Sequence, residues 1–255
     1  AWGERRPIWL RRAPCLRFWS PLLVIPGLYA GCNRGGSPIA PDSTPWTDDP
    51  EGFGPVAFRA MDTWSQPTRL AAVAGAATLL GVLSLLSNIT TWEQLTGQAN
   101  SVLTVRFFLS ELANSGTAWA GLMVLAGWLV HTGWQAAVAG VLAGELALVV
   151  HYGLAELIGP LLDLPPAGFA TNEYWFVVAA VFGAPLGLAG ALAHRPGAVG
   201  RLAGLVVPLG AVIEPFFRGN FRLPDLLPWP TRMAAFLSGV VLIAFGVVLA
   251  VKVLG

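Results

Sequence analysis

RMAAFLSGVVLIAFGVVLAVK, residues 232–252, is the stretch that decides the fold. Between Arg232 and Lys252 lie 19 residues with no Asp, Glu, Lys, Arg or His. A helix rises about 1.5 Å per residue, so roughly 20 apolar residues cross the hydrocarbon core of a bilayer. Lipid offers no hydrogen bonds, and the backbone of such a run must satisfy its own by becoming helical. Working outward, the pattern recurs. Charge-free windows of 23, 19 and 20 residues separate Arg69 from Glu93, Glu111 from His131, and Glu173 from His194. Two further apolar stretches are interrupted. Residues 135–157 carry Glu145, His151 and Glu156, while residues 202–217 carry Glu214 with Pro208 and Pro215. The expected fold is all-α, a polytopic membrane protein with six transmembrane helices in a tightly packed bundle. The spans fall near residues 70–89, 112–131, 135–157, 174–193, 202–217 and 232–252, within a domain of residues 68–255.

Composition agrees. Of 255 residues, 55% are hydrophobic and 11% charged, less than half the roughly 25% charged content of a soluble domain. Twenty-nine charged side chains (15 basic, 14 acidic) cannot cover a soluble protein of this size. A soluble enzyme is therefore excluded. The formal net charge of +1 leaves no electrostatic footprint for nucleic acid.

Residues 1–67 differ in kind. They hold ten of the 20 prolines and no apolar run long enough to cross a bilayer. Six arginines (Arg5, Arg6, Arg11, Arg12, Arg17 and Arg34) stand there against Glu4, and then five acids between Asp42 and Asp62 against Arg59. Proline density and charge blocks of this kind predict a poorly ordered tail. A second reading sees basic residues, the apolar run 18–29 and Ala30-Gly31-Cys32 as a lipoprotein signal. Pro21 and Pro26 break that run, so the tail reading is preferred. Two cysteines, Cys15 and Cys32, make no metal cage or disulfide framework.

Loop cations set the orientation. Eleven Lys and Arg collect on one side if the N-terminus is cytoplasmic, and four (Arg106, Arg218, Arg222 and Arg232) on the other. Both termini are thus expected on the cytoplasmic side of the plasma membrane. Threading the chain through six spans then gathers polar groups in the outer half. Glu111 and Asn114 begin the second span; His151, Tyr152 and Glu156 end the third, with Glu145 near mid-depth. The fifth span ends at Glu214.

Helical spacing sharpens the picture. Glu145, Tyr152 and Glu156 stand at i, i+7 and i+11 and share one face. Arg106, Ser110 and Asn114 stand at i, i+4 and i+8. A carboxylate at mid-bilayer costs about 2.5 kcal/mol or more on insertion scales, so Glu145 is expected to face protein or water. The candidate pocket is Glu145, Tyr152, Asn114, Glu214, Glu156, Glu111, Arg106 and His151. The bland alternative makes the terminal acids snorkelling or inter-helix groups. Glycine pairs four apart (Gly140 and Gly144, Gly183 and Gly187, Gly200 and Gly204) read as helix-packing positions.

Catalytic patterns are sparse. Asn114-Ser115-Gly116 lacks the spacing of a serine-hydrolase elbow. No H-E-x-x-H, Cys/His cluster or aspartate pair marks a metal, and no phosphate loop is present. No catalytic, cofactor or metal residues are assigned. His131 and His194 fall at the inner boundary and read as interfacial.

The run Leu112-Ala113-Asn114-Ser115 is followed by Trp119, Gly140, Gly144, Tyr152, Trp175, Gly183-Ala184-Pro185-Leu186-Gly187 and Glu214. Together these resemble an uncharacterised family of small multi-pass bacterial membrane proteins, a domain of unknown function. The resemblance covers about residues 70–255 and implies the topology without an activity. In architecture the chain is also similar to the substrate-capture subunits of energy-coupling-factor vitamin importers, six-helix proteins with an outward pocket, but it carries none of their substrate motifs. The expected function is binding or transport of a small solute through the outer polar pocket. An accessory membrane protein with a partner subunit is the alternative, and an intramembrane hydrolase using Ser115 and His151 is the third reading. The expected partners are the lipid bilayer, a small solute and a membrane subunit, without nucleic acid.

Overall fold

The structure is a computed structural model that describes residues 65–89, 96, 100–162, 169–223 and 227–255. The proline-rich tail expected over residues 1–67 lies almost wholly outside the described residues. Among the described residues eight α-helices follow in chain order: α1 (Gln66–Asn88), α2 (Asn100–Ala113), α3 (Gly116–Val130), α4 (Gly133–Ile158), α5 (Phe169–Leu192), α6 (Ala198–Gly204), α7 (Val206–Phe217) and α8 (Trp229–Leu254). Among the described residues there is no strand. Pro67 and Pro230 sit in the first turns of α1 and α8, where a missing N–H costs nothing and the fixed φ favours helix.

Among the described residues five stretches are long and apolar enough to cross a membrane: Gln66–Asn88, Gly133–Leu161, Asn172–Leu192, Ala198–Phe217 and Trp229–Leu254. The second expected span is corrected. Residues 112–131 do not form one crossing helix, because the chain breaks at Asn114-Ser115 between α2 and α3. α3 is an apolar helix of 15 residues, about 22 Å at 1.5 Å per residue. It tolerates this shortness because it lies inside the bundle, packed against α1, α4, α5 and α7. Leu122, Met123, Ala126, Gly127, Leu129 and Val130 are all buried. A window count of hydropathy finds such a helix but does not see where it starts.

The fifth expected span also divides, at Leu205, between α6 and α7. Pro208 explains the position. It offers no N–H to the carbonyl of Gly204, and its ring crowds that carbonyl.

The centre of the bundle is made of small residues. Ala77, Ala126, Ala143 and Ala147 pack with Val73, Leu122, Leu129 and Val130 where α1, α3 and α4 meet. α5 closes on α3 and α4 through glycine. A Cβ on Gly187 would fall on the carbonyl oxygen of Ala136, and one on Gly127 would fall on the carbonyl of Gly187. A Cβ on Gly140 would fall on the carbonyl of Gly183. Backbone thus touches backbone along α4 and α5. Such contact replaces the hydrophobic drive that lipid cannot supply.

Hydrogen bonds define two ends. At one, Asn88 of α1 meets Ser110 and Asn114, and Glu214 of α7 meets Gly116 and Thr117. At the other, Arg69 of α1 donates to the carbonyl of Leu129, and His131 after α3 meets His194 after α5. α1 and α3 therefore run in opposite directions.

Candidate functional site

A helix broken inside a bundle leaves four C-terminal carbonyls and four N-terminal N–H groups to satisfy. The chain answers with side chains from several elements. Ser115 is the cap of α3, its Oγ accepting from Ala118 N at 3.0 Å and donating to Leu112 O at 2.8 Å. Glu214 supplies the rest from 98 residues away. Its Oε1 accepts from Gly116 N at 2.7 Å, and its Oε2 accepts from Thr117 N at 2.8 Å and Thr117 Oγ1 at 2.6 Å. The Trp119 indole donates to Ala113 O at 3.1 Å, satisfying a carbonyl at the end of α2.

The charges match the two helix ends. Arg218, one turn after Glu214 on the same stretch, donates to the carbonyl of Glu111 at 3.2 Å and pairs with the Glu111 carboxylate. It also reaches Glu214 Oε1 at 3.5 Å. A cation therefore stands at the negative end of α2 and an anion at the positive end of α3, each the favourable sign.

Beside this network lies a neutral one. Ser84, fully buried on α1, donates to Asn114 Oδ1 at 2.6 Å. Asn114 Nδ2 donates to Ser110 O at 2.9 Å and to Asn88 Oδ1 at 3.0 Å. Ser110 Oγ donates to the same Asn88 oxygen at 2.6 Å. Arg106 stands above, donating to Leu86 O at 3.2 Å. Replacing Ser84 by alanine should lower unfolding stability in detergent by about 1 kcal/mol, the net value of one such bond. Ser84→Ala and Asn114→Ala together should cost less than the sum of the two, since they remove a shared contact. Thermal unfolding of the three variants measures this; strictly additive losses would mean that the two side chains do not interact.

The structure thus brings together Glu111, Asn114 and Glu214, with Arg106 at the margin. The α4 residues lie elsewhere. Tyr152 is buried among Phe169 and Phe176, at ring separations of 6.3 and 6.0 Å, with the His151 ring edge-on at 4.8 Å. The Nδ1 of His151 is buried without a hydrogen-bond partner. Glu156 accepts from Phe169 N at 3.1 Å and caps α5. Glu145 is half-buried and makes no hydrogen bond or ion pair among the described residues. Leu142 and Val149, about a turn to either side, are exposed. With Leu148 and Tyr152 buried on the other side, Glu145 lies at the edge of the surface that α4 packs against its partners. The one-face spacing of Glu145, Tyr152 and Glu156 holds, but the three have different surroundings. No hydrogen bond joins Ser115 to His151, because the serine hydroxyl is given to Leu112.

Two open depressions adjoin the turn between α7 and α8. One of about 350 Å³ is walled by Phe221, Leu223, Trp229, Met233 and Phe236, with Asn220 and Arg232 as its polar groups. The other, about 180 Å³, is bounded by Pro215, Phe216, Gly219, Phe221 and Arg222. Buried Asn220 ties the turn to α8 through Ala235 O at 3.1 Å and Ser238 Oγ at 3.3 Å. Arg218 is two residues from Asn220, so the cavity and the ionic network share one stretch of chain.

Sequence reasoning missed several members. Ser84 and Asn88 are one turn apart on an otherwise apolar helix, and that stripe was a usable signal. Ser115-Gly116-Thr117 had the look of a helix start. Asn220 and Ser238 carried none.

A family model described as a family of unknown function (DUF6518) matches residues 94–254. No curated protein and no solved structure matches the chain.

Proposed function

This chain belongs to DUF6518, a family without an assigned activity, and from its own residues we propose that it is a membrane protein that binds a small solute. The site is the cavity between the α7–α8 turn and α8. The observation that carries the reading is the lining of that cavity: three aromatic rings, a methionine and a leucine around one guanidinium and one carboxamide. Apolar walls with a few converging polar groups are the usual composition of a ligand site, and about 350 Å³ falls at the small end of the range for one. The chemistry suits a compact, largely apolar molecule lying beside the Arg232 guanidinium.

Arg218 and Glu214 of the ionic network lie on the same stretch of chain just before the turn. Glu145 lies outside this site and is not assigned to it. Counting the short helix α3 as a sixth crossing, the cation count of the loops supports this end of the bundle as the outward one and both termini as cytoplasmic.

Phe236→Trp would fill the cavity while leaving Asn220 and its bonds in place. Wild-type protein in detergent, screened by thermal shift against small aromatic and aliphatic carboxylates, should be stabilised by at least one of them. Saturation at 100 times Kd corresponds to about 2.7 kcal/mol. The filled variant should lose that response and keep its unliganded midpoint. A panel without effect on the wild type, or with equal effect on both proteins, would remove the proposal.

The satisfied polar network favours a second reading, an accessory subunit. Glu111, Asn114, Glu214 and Arg218 find partners within the chain, and none of them needs a solute. Stable co-purification of a membrane partner from native membranes, together with a silent ligand screen, would select it.

A further inference from the structure

Two histidines meet at the end of the bundle opposite the Glu214 network. His131 follows α3 in a left-handed conformation (φ 62°), its N–H returning to the carbonyl of Gly127. His194 follows α5. Nδ1 of His131 lies 2.8 Å from Nε2 of His194, and the ring planes cross at 79°. The His194 ring stacks on Trp128 with centroids 4.6 Å apart, and its Nε2 is 2.9 Å from the Trp128 carbonyl oxygen. A carbonyl only accepts, so Nε2 of a neutral His194 carries the hydrogen and Nδ1 of His131 accepts a share of it. Three electron-pair donors therefore converge on a single hydrogen.

The same two nitrogens can share a metal ion that displaces the hydrogen and sits beside the line joining them. At a metal–nitrogen length of about 2.0 Å, two nitrogens 2.8 Å apart subtend an angle of about 90° at the metal. That is the cis angle of square-planar or octahedral coordination, and it is narrower than the tetrahedral one preferred by structural zinc. We propose that His131 Nδ1 and His194 Nε2 form a binding site for a divalent transition ion of the copper(II) or nickel(II) type, with the Trp128 carbonyl as an adjacent oxygen donor. On loading, the His194 proton moves from Nε2 to Nδ1 of the same ring, so both ligating nitrogens present lone pairs and the imidazoles stay neutral.

Among the described residues no group of three or more His, Cys, Asp or Glu is placed to hold a metal. In the proposed site water completes the coordination sphere. Among the described residues the formal charges placed here are cationic: Arg195 follows His194, and Arg69 donates to Leu129 O two residues before His131. Binding then rests on the affinity of imidazole for borderline ions and not on charge attraction, which selects against magnesium and calcium. The negative end of the α3 dipole, where the Trp128 carbonyl points, offsets part of the repulsion. The site is independent of the cavity at the other end.

The test uses the full chain in detergent, purified without a histidine tag and titrated with copper(II) alone. His131→Asn keeps a residue tolerant of left-handed φ, and His194→Gln keeps a donor for the Trp128 carbonyl. Both should fold with the metal-free midpoint of the wild type. The wild type should take up one ion whose electron paramagnetic resonance shows coupling to two imidazole nitrogens. Either variant should lose roughly tenfold or more in affinity, taking the effect of outer-shell changes as a floor. The double variant should lose the two-nitrogen signal, and excess magnesium should not compete. Equal copper uptake by the wild type and the double variant, or a signal without imidazole coupling, would overturn the site.

Discussion

Gly187→Val is expected to yield almost no folded protein. The new Cβ would lie on the Ala136 carbonyl, with Ala137 Cα 3.2 Å away, and neither atom belongs to a side chain that can swing aside. Only separation of α4 from α5 relieves the overlap, and these two helices share the most extensive packing in the bundle. Overpacking a core commonly costs about 1–3 kcal/mol when side chains can adjust. Here backbone must move, so the loss should exceed the upper figure. Gly210→Ala is the matched control. Its Cβ would meet nothing within 4 Å, and trading glycine for alanine inside a helix gains about 0.5–1 kcal/mol. Size-exclusion profiles and unfolding midpoints of the two detergent-purified variants decide the matter. Comparable behaviour of the two would mean that α4 and α5 do not touch through glycine.

Glu214→Leu should be the most damaging change at the polar network. It strands Gly116 N–H and Thr117 N–H and leaves the Thr117 hydroxyl without its acceptor. Arg218 keeps Glu111 as a partner, so the arginine is not orphaned. Stranding partly buried donors costs about 1–3 kcal/mol each, some of it recovered by rearrangement, which puts the total near 2–4 kcal/mol. Glu214→Gln keeps an acceptor and loses the charge at the helix end; it should cost about half as much. Adding Thr117→Val to Glu214→Leu should cost less than the sum, since one partner of a broken bond is then removed as well. Chemical or thermal unfolding of these variants checks the order. A harmless Glu214→Leu would show that the end of α3 is satisfied by water.

The long crossings could be read from the chain because their physics is additive. Each apolar residue between Arg232 and Lys252 argues for burial in lipid, whatever its neighbours. The same holds for α1, where the charge-free window from Arg69 to Glu93 contains the helix Gln66–Asn88 apart from its first turn. The break between α2 and α3 is different. Hydropathy registers composition, and Asn114-Ser115 is too short to disturb a sum over 19 residues. What ends α2 and begins α3 is a set of hydrogen bonds, half of them from a carboxylate near the far end of the chain.

Glu145 shows the opposite failure. Its depth along α4 was legible, but depth does not say which neighbour lies beside a given face. α4 buries Ala136, Gly140, Ala143, Gly144 and Ala147 against its partners, and Glu145 falls at the edge of that surface. Glu111 and Glu214, nearer the helix ends, looked more ordinary in the sequence and carry the ion pair and the cap. A lone acid in an apolar run is conspicuous, whereas a polar group's partners depend on tertiary geometry.

Glu214 follows Thr117 by 97 positions. At roughly 5–20 residues per second of synthesis, α3 waits about 5–20 s before the carboxylate that completes its start has been made. During that interval the N–H groups at the start of α3 must find water or other partners. The bundle's final assembly is thus timed by its second half, and a ribosome stalled before α7 would leave an intermediate exposed to membrane quality control.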